Sequence, residues 1–304
     1  MERSITANSS KAVVSVLLAG ILWGVINIFV KTLSAHGLDA LQISAIRMVV
    51  AAVIFPLVVL IKDPSKMKIR LKDFWIFVGT GIISIVLFNT CYFYTMINSQ
   101  ASVAVVLLYT SPVFVMLLSA LIFKEKITLQ KIIALILTVA GCVLVAGVIG
   151  GTYTITPFVI LTGIASGLFY ALYSIFGNFG LRRYDPSTVT AWTFLFAVVV
   201  AVPLGKVGKT VAVLRQESVL ILYAVGIGVV STILPYFFYT WGLNRMDPSK
   251  AAIIVAVEPL VGAVIGMTVF HEPHNILKLI GICLILAAIV LLNLKWEKRS
   301  ADRL

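Results

Sequence analysis

The stretch AAIIVAVEPLVGAVIGMTVFHEP, residues 251–273, holds Glu258 in a run of aliphatic, small and proline residues. The nearest basic residue before it on that segment is Lys250, about two helical turns back. A carboxylate in apolar surroundings either meets a cation from elsewhere or holds a proton, so two chemistries are open. It can bind the cationic group of a solute, or it can take up and release protons. A structural hydrogen bond beside the Pro259 kink is the third role this position allows. Other polar groups recur at helical spacing. Trp23, Asn27 and Lys31 follow i, i+4, i+8; Gly163, Gly167, Tyr170 and Ser174 make a second stripe. Thr232, Tyr236 and Tyr239 make a third, and Asn89, Tyr92 and Tyr109 add to the set. Aromatic faces with a few hydrogen-bonding groups suit small amphipathic solutes better than polyanions.

The elements that position these residues are long apolar runs. The 304 residues are 61% hydrophobic and 12% charged, with a mean hydropathy of +1.08. Soluble domains carry about a quarter charged residues, so that class is excluded. Ten runs of membrane-crossing length are read at 12–33, 40–61, 74–97, 101–123, 130–149, 157–180, 187–204, 219–243, 250–270 and 276–295. The expected fold is an all-α integral membrane protein of ten transmembrane helices. The first run follows Lys11 and is longer than a signal-peptide core, so it is expected to be retained. Cys91, Cys142 and Cys283 lie within the runs and read as small packing residues.

The net charge of +12 is not an invitation to nucleic acid, because its distribution is that of a membrane protein. With the N-terminus cytoplasmic, 18 of the 24 basic residues fall inside, among them the run KDPSKMKIRLK at 62–72, and four fall outside. That is the positive-inside pattern, and it predicts cytoplasmic termini in the cell membrane and contact with anionic lipid.

Shifted by 147 residues, the block 78–145 lands on 225–292 without a gap. Gly79 meets Gly226, Gly81 meets Gly228, Pro112 meets Pro259, Glu125 meets Glu272 and Lys131 meets Lys278. A shift of 143 aligns Gly20 with Gly163 and Gly24 with Gly167. Each repeat then contains five runs. An odd repeat must enter the membrane from opposite sides in its two copies, which predicts two inverted five-helix repeats, 1–150 and 151–304. Glu258 aligns with Ser111, so the charge breaks the symmetry.

The segment ASVAVVLLYTSPVFVMLLSALIFKEKITLQKIIALILTVAGCVLVAG, 101–147, resembles the second half of an EamA-type domain of the drug/metabolite transporter superfamily. SKAAIIVAVEPLVGAVIGMTVFHEPHNILKLIGICLILAAIVLLN, 249–293, repeats it, and LQISAIRMVVAA, 41–52, with Arg47, is similar to the family's second helix. The ending HEPHN departs from the family's acid-plus-small pattern. The resemblance implies a basket of ten helices, a central cavity lined mainly by helices 1, 3, 4, 6, 8 and 9, and no enzyme activity.

The expected substrate-binding set is Trp23, Asn27, Asn89, Tyr109, Tyr170, Tyr236 and Glu258, with no catalytic residue, metal or cofactor. Asn27 and Asn89 suit interhelical hydrogen bonding equally well. Tyr92, Tyr173 and Tyr239 divide between interfacial or helix-bridging roles and the cavity. Arg47 reads as a structural partner or carbonyl cap, Lys31 as a snorkelling side chain, and Glu125 and Glu272 as helix-end anchors. The function expected is a secondary transporter moving small metabolites, of the amino-acid or a related amphipathic type, by alternating access. The alternatives are a solute or ion channel and a non-transporting membrane sensor or scaffold. The expected partners are a small-molecule solute and the lipid bilayer, with proton coupling open and nucleic acid excluded.

Overall fold

The computed structural model of the chain describes residues 2–99, 101–149, 156–271 and 276–294. Glu272, most of the HEPHN loop and the basic tail lie outside the described residues. Among the described residues, ten helical spans are long and apolar enough to cross a membrane. Spans 1 to 5 run Ser10–Ala35, Ala40–Lys62, Leu71–Asn98, Ser102–Phe123 and Leu129–Ala146. Spans 6 to 10 run Pro157–Leu181, Pro186–Leu204, Ser218–Leu243, Pro248–Thr268 and Ile276–Asn293. Their outward faces are aliphatic: Ile61, Leu121, Val199 and Leu222 are exposed, as a lipid-facing shell requires.

Local chemistry starts several spans. Thr128, Thr156 and Asp185 accept backbone N–H groups at the starts of spans 5, 6 and 7, and Pro157 and Pro186 occupy first-turn positions that need no donor. Span 2 opens with a capping box: Asp39 accepts the Gln42 N–H and the Gln42 side chain accepts the Asp39 N–H, both at 2.9 Å. Lys206 Nζ, from the far end of span 7, adds a 2.8 Å bond to the same carboxylate.

That cap gives a pH-dependent contribution to stability. Partial burial opposes the Asp39 charge, but the bonds from Lys206 and from the Gln42 and Leu41 backbone outweigh it, leaving its pKa below the usual range. The stabilisation is therefore complete above the ordinary aspartate pKa of about 3.9 and is lost as pH falls through the lower folded value. Asp39→Ala is expected to cost about 1 kcal/mol, the usual worth of a cap. Its melting-temperature deficit should be full at neutral pH and shrink in acid; a deficit that grows in acid would contradict the assignment.

The packing repeats with two-fold pseudo-symmetry, and the chain forms two inverted five-helix repeats. Span 1 lies against span 8, and correspondingly span 6 against span 3. Span 1 also meets span 9, as span 6 meets span 4; span 2 meets span 8, as span 7 meets span 3. Spans 2 and 7 pair with each other, as do spans 5 and 10. The last pair closes on glycine: a Cβ on Gly141 would lie 2.8 Å from the Gly281 carbonyl oxygen, and one on Gly281 would lie 2.7 Å from that of Gly141. Small residues here let two backbones touch.

Helical regularity fails at matching places. Span 4 breaks between Leu108 and Ser111, and span 9 between Ile254 and Val257, each just ahead of the paired prolines Pro112 and Pro259. Span 3 carries a π-helical stretch, Val78–Leu87, and span 8 a shorter one, Val229–Ile233, in the same repeat register. Such turns leave carbonyls for side chains to cover. Ser84 Oγ donates to the Gly79 carbonyl at 2.7 Å and Thr232 Oγ1 to that of Ile227 at 2.9 Å. Span 1, expected as a continuous helix, has an irregularity at Val25 that span 6 lacks.

At one membrane face Glu125 serves as the helix-end anchor read from the sequence. It accepts Lys131 Nζ at 2.5 Å and the Ser249 hydroxyl, and Lys131 also reaches Asp247 at 2.9 Å. This network ties the first repeat to the second.

Candidate functional site

Two glycine seams bring the broken spans to the centre of the bundle. A Cβ on Gly20 would lie 2.8 Å from the Val255 carbonyl oxygen, and one on Gly24 the same distance from that of Glu258. Span 1 thus rests against the break of span 9. Span 6 repeats the arrangement on span 4: a Cβ on Gly167 would meet Thr110 Oγ1 at 2.4 Å and the Leu107 carbonyl at 3.0 Å. Hydrogen on Cα is all these contacts admit.

At the span 9 break, Glu258 occupies the first turn of Val257–Thr268, an N-terminal position favourable to a carboxylate. The Tyr109 hydroxyl, at the break of span 4, is its polar neighbour, and Arg47 of span 2 is the cation within electrostatic reach. The cation missing from the carboxylate's own helix is supplied by the other repeat. Arg47 Nε donates to Thr232 Oγ1 at 2.9 Å and Nη2 to the Ser231 carbonyl at 3.4 Å, covering the π-helical turn of span 8. Glu258, Arg47, Tyr170 and Tyr92 keep partial exposure, whereas Trp23, Tyr109 and Tyr236 are buried.

Aromatic rings surround the charges. Trp23 stands edge-on to Tyr236, with centroids 5.0 Å apart, and to Tyr170 at 6.4 Å. Phe88 packs on Tyr170 at 5.2 Å and Phe194 on Tyr236 at 5.5 Å. The Tyr173 hydroxyl bonds Thr240 and that of Tyr239 bonds Ser174, both at 2.7 Å, so these two tyrosines bridge spans 6 and 8.

The structure brings Trp23, Tyr109, Tyr170, Tyr236 and Glu258 to one region. Asn27 is exposed and its amide nitrogen lies beside Gly262 of span 9. Asn89 is buried and donates to the Ile85 carbonyl of its own helix at 2.7 Å. Lys31 sits over the Phe270 ring at 3.7 Å, a cation–π contact near the end of the span. Arg47 is the residue that sequence reasoning left at the margin as a carbonyl cap. It does cap a carbonyl, and it also lies within electrostatic reach of the carboxylate. The signal available was that Arg47 and Glu258 are opposite charges, each well inside an apolar run.

A profile of the EamA-like transporter family matches residues 10–147 and again 157–294. The chain belongs to the EamA-like transporter family. The two matches coincide with the two halves of the pseudo-symmetric bundle. Among similar proteins, an uncharacterized transporter of Archaeoglobus fulgidus is 25% identical, over 91% of this chain and 94% of its own length. The uncharacterized inner membrane transporter YicL of Salmonella typhimurium is 24% identical, over 96% and 98%. A solved crystal structure superposes with a TM-score of 0.77, covering 93% of this chain and 96% of that one at 15% identity, a likeness of fold alone. The chain is a multi-pass membrane protein of a transporter family.

Proposed function

We propose that this EamA-like protein is a secondary transporter in the cell membrane, with both termini cytoplasmic. It moves small amphipathic metabolites of the amino-acid type by alternating access. One observation supports the reading above others. Arg47 from the first repeat and Glu258 from the second lie within electrostatic reach of each other, both partly exposed and neither in an ion pair among the described residues. Opposite charges held apart there are complementary to a solute carrying both an ammonium and a carboxylate. Trp23, Tyr109, Tyr170 and Tyr236 supply apolar surface and hydroxyls around it, Asn27 lies on the helical stripe of Trp23, and Asn89 on that of Tyr92.

The glycine seams and helix breaks are the parts able to move. Rocking one repeat against the other changes which face the centre opens to, without unfolding a span. Glu258 is also the group placed to carry a coupling proton.

The test is saturable uptake into proteoliposomes, preceded by a thermal-stabilisation screen against amino acids and analogues lacking either charge. A zwitterionic solute should raise the melting temperature, and flux should saturate; flux linear in solute would favour a channel. Tyr109→Ala and Tyr170→Ala should weaken binding about tenfold, the worth of one aromatic contact or hydrogen bond at roughly 1.4 kcal/mol, in folded protein. Unchanged affinity in both would remove these tyrosines from the pathway.

A further inference from the structure

The run KDPSKMKIRLK plays no part in the central site, yet the fold builds a defined shape from it. Two short 3-10 turns, Pro64–Met67 and Leu71–Asp73, lay the connection between spans 2 and 3 across the turn between spans 6 and 7. Between them is a space of about 560 Å³ whose lining includes Lys66, Lys68, Arg70, Asp73, Arg183 and Tyr184.

Its floor is rigidly held. The fully buried Asp73 takes the Arg183 guanidinium and the Tyr184 hydroxyl, the latter at 2.6 Å, and Tyr184 Oη accepts the Arg70 backbone N–H at 3.1 Å. The Trp192 indole N–H holds the Met67 carbonyl at 3.1 Å. Lys66 lies 3.7 Å from Asp185. Four cations thus meet two carboxylates, and both carboxylates are engaged. Lys68 and Arg70 have no carboxylate within ion-pair distance among the described residues. A positive surplus faces the groove.

We propose that this groove binds the headgroup of an anionic phospholipid. The side chains beside it decide in favour of a lipid. Leu71 is 80% exposed and Trp75 46% exposed, immediately after the basic run. The Phe74 and Trp192 rings lie 6.3 Å apart, and Trp75 stands edge-on to Phe179 at 5.4 Å, an aromatic grouping suited to headgroup depth. A phosphodiester between Lys68 and Arg70 would leave its acyl chains free to follow Leu71 and Trp75 onto the aliphatic shell. A soluble anion would use only the first half of that surface.

Native mass spectrometry of the detergent-solubilised full chain tests this, with phosphatidylglycerol and phosphatidylcholine supplied in equal amounts. The wild type should retain phosphatidylglycerol preferentially, and that lipid alone should raise its melting temperature. Lys68→Gln with Arg70→Gln should lower the retained phosphatidylglycerol about thirtyfold, for two cations near an anionic headgroup at about 1 kcal/mol each. Lys209→Gln with Arg215→Gln, the same change of charge elsewhere, should leave it unaltered. Equal retention of the two lipids by wild type, or full retention by the Lys68/Arg70 variant, overturns the proposal. So does stabilisation by inorganic phosphate or glycerol phosphate to the same extent as by the lipid, which would make this a soluble-anion site.

Discussion

Glu258→Gln in reconstituted protein should abolish the pH dependence of solute flux and weaken solute binding about tenfold to a hundredfold. The substitution keeps the side chain's size and a carbonyl oxygen toward the Tyr109 hydroxyl, so the break in span 9 should survive. What it removes is the negative charge facing Arg47 and the ability to exchange a proton. A hydrogen bond to a charged group is worth about 1.5–3 kcal/mol, and a cationic solute group would forfeit that amount. Arg47 would lose its only described counter-charge in the centre, though its bonds to Thr232 and the Ser231 carbonyl remain. The measurements are flux at mildly acidic and mildly alkaline pH and affinity by thermal shift. If Glu258→Gln keeps both the wild-type pH profile and the wild-type affinity, the carboxylate is only a hydrogen-bond partner at a kink.

The largest loss of stability should come from Gly24→Val and Gly167→Val. A Cβ alone on Gly24 would lie 2.5 Å from that of Val261, and on Gly167 2.4 Å from Thr110 Oγ1, with backbone carbonyls just beyond. Backbone cannot step aside as a flexible side chain can, so spans 1 and 9, or 6 and 4, must separate. Overpacking of this kind costs about 3 kcal/mol or more, because it disrupts the neighbouring contacts as well. Gly208→Val is the control: nothing lies within 4 Å of the added Cβ. Scanning calorimetry or fluorescence-detected melting should show a drop of roughly 5–10 °C for each seam variant and almost none for the control. Equal melting of all three would mean that the seams are not tight.

The amino-acid sequence by itself determined the ten spans, since the length and apolarity needed to cross a bilayer are local properties. It also determined the inverted repeat, because prolines, glycines and acids stay in register over a shift of 147 residues. The positions of the breaks in spans 4 and 9 were legible in Pro112 and Pro259. The irregularity at Val25 and the π-helical turn of span 3 were not, because neither carries a proline and both depend on what packs beside them. The turn of span 8 was signalled by Pro235, whose missing N–H leaves the Ser231 carbonyl to Arg47. Helical periodicity placed Trp23, Tyr170 and Tyr236 on polar stripes, but it cannot say which neighbour a stripe meets. That was decided by the glycine seams, which set the rotation and depth of each span against the next. The same holds for Asn89, whose amide turns to its own helix at Ile85 instead of crossing the bundle. Above all, the cation within electrostatic reach of Glu258 lies on another helix of the other repeat. Such a juxtaposition is a property of how two surfaces come together, and no spacing along one chain segment encodes it.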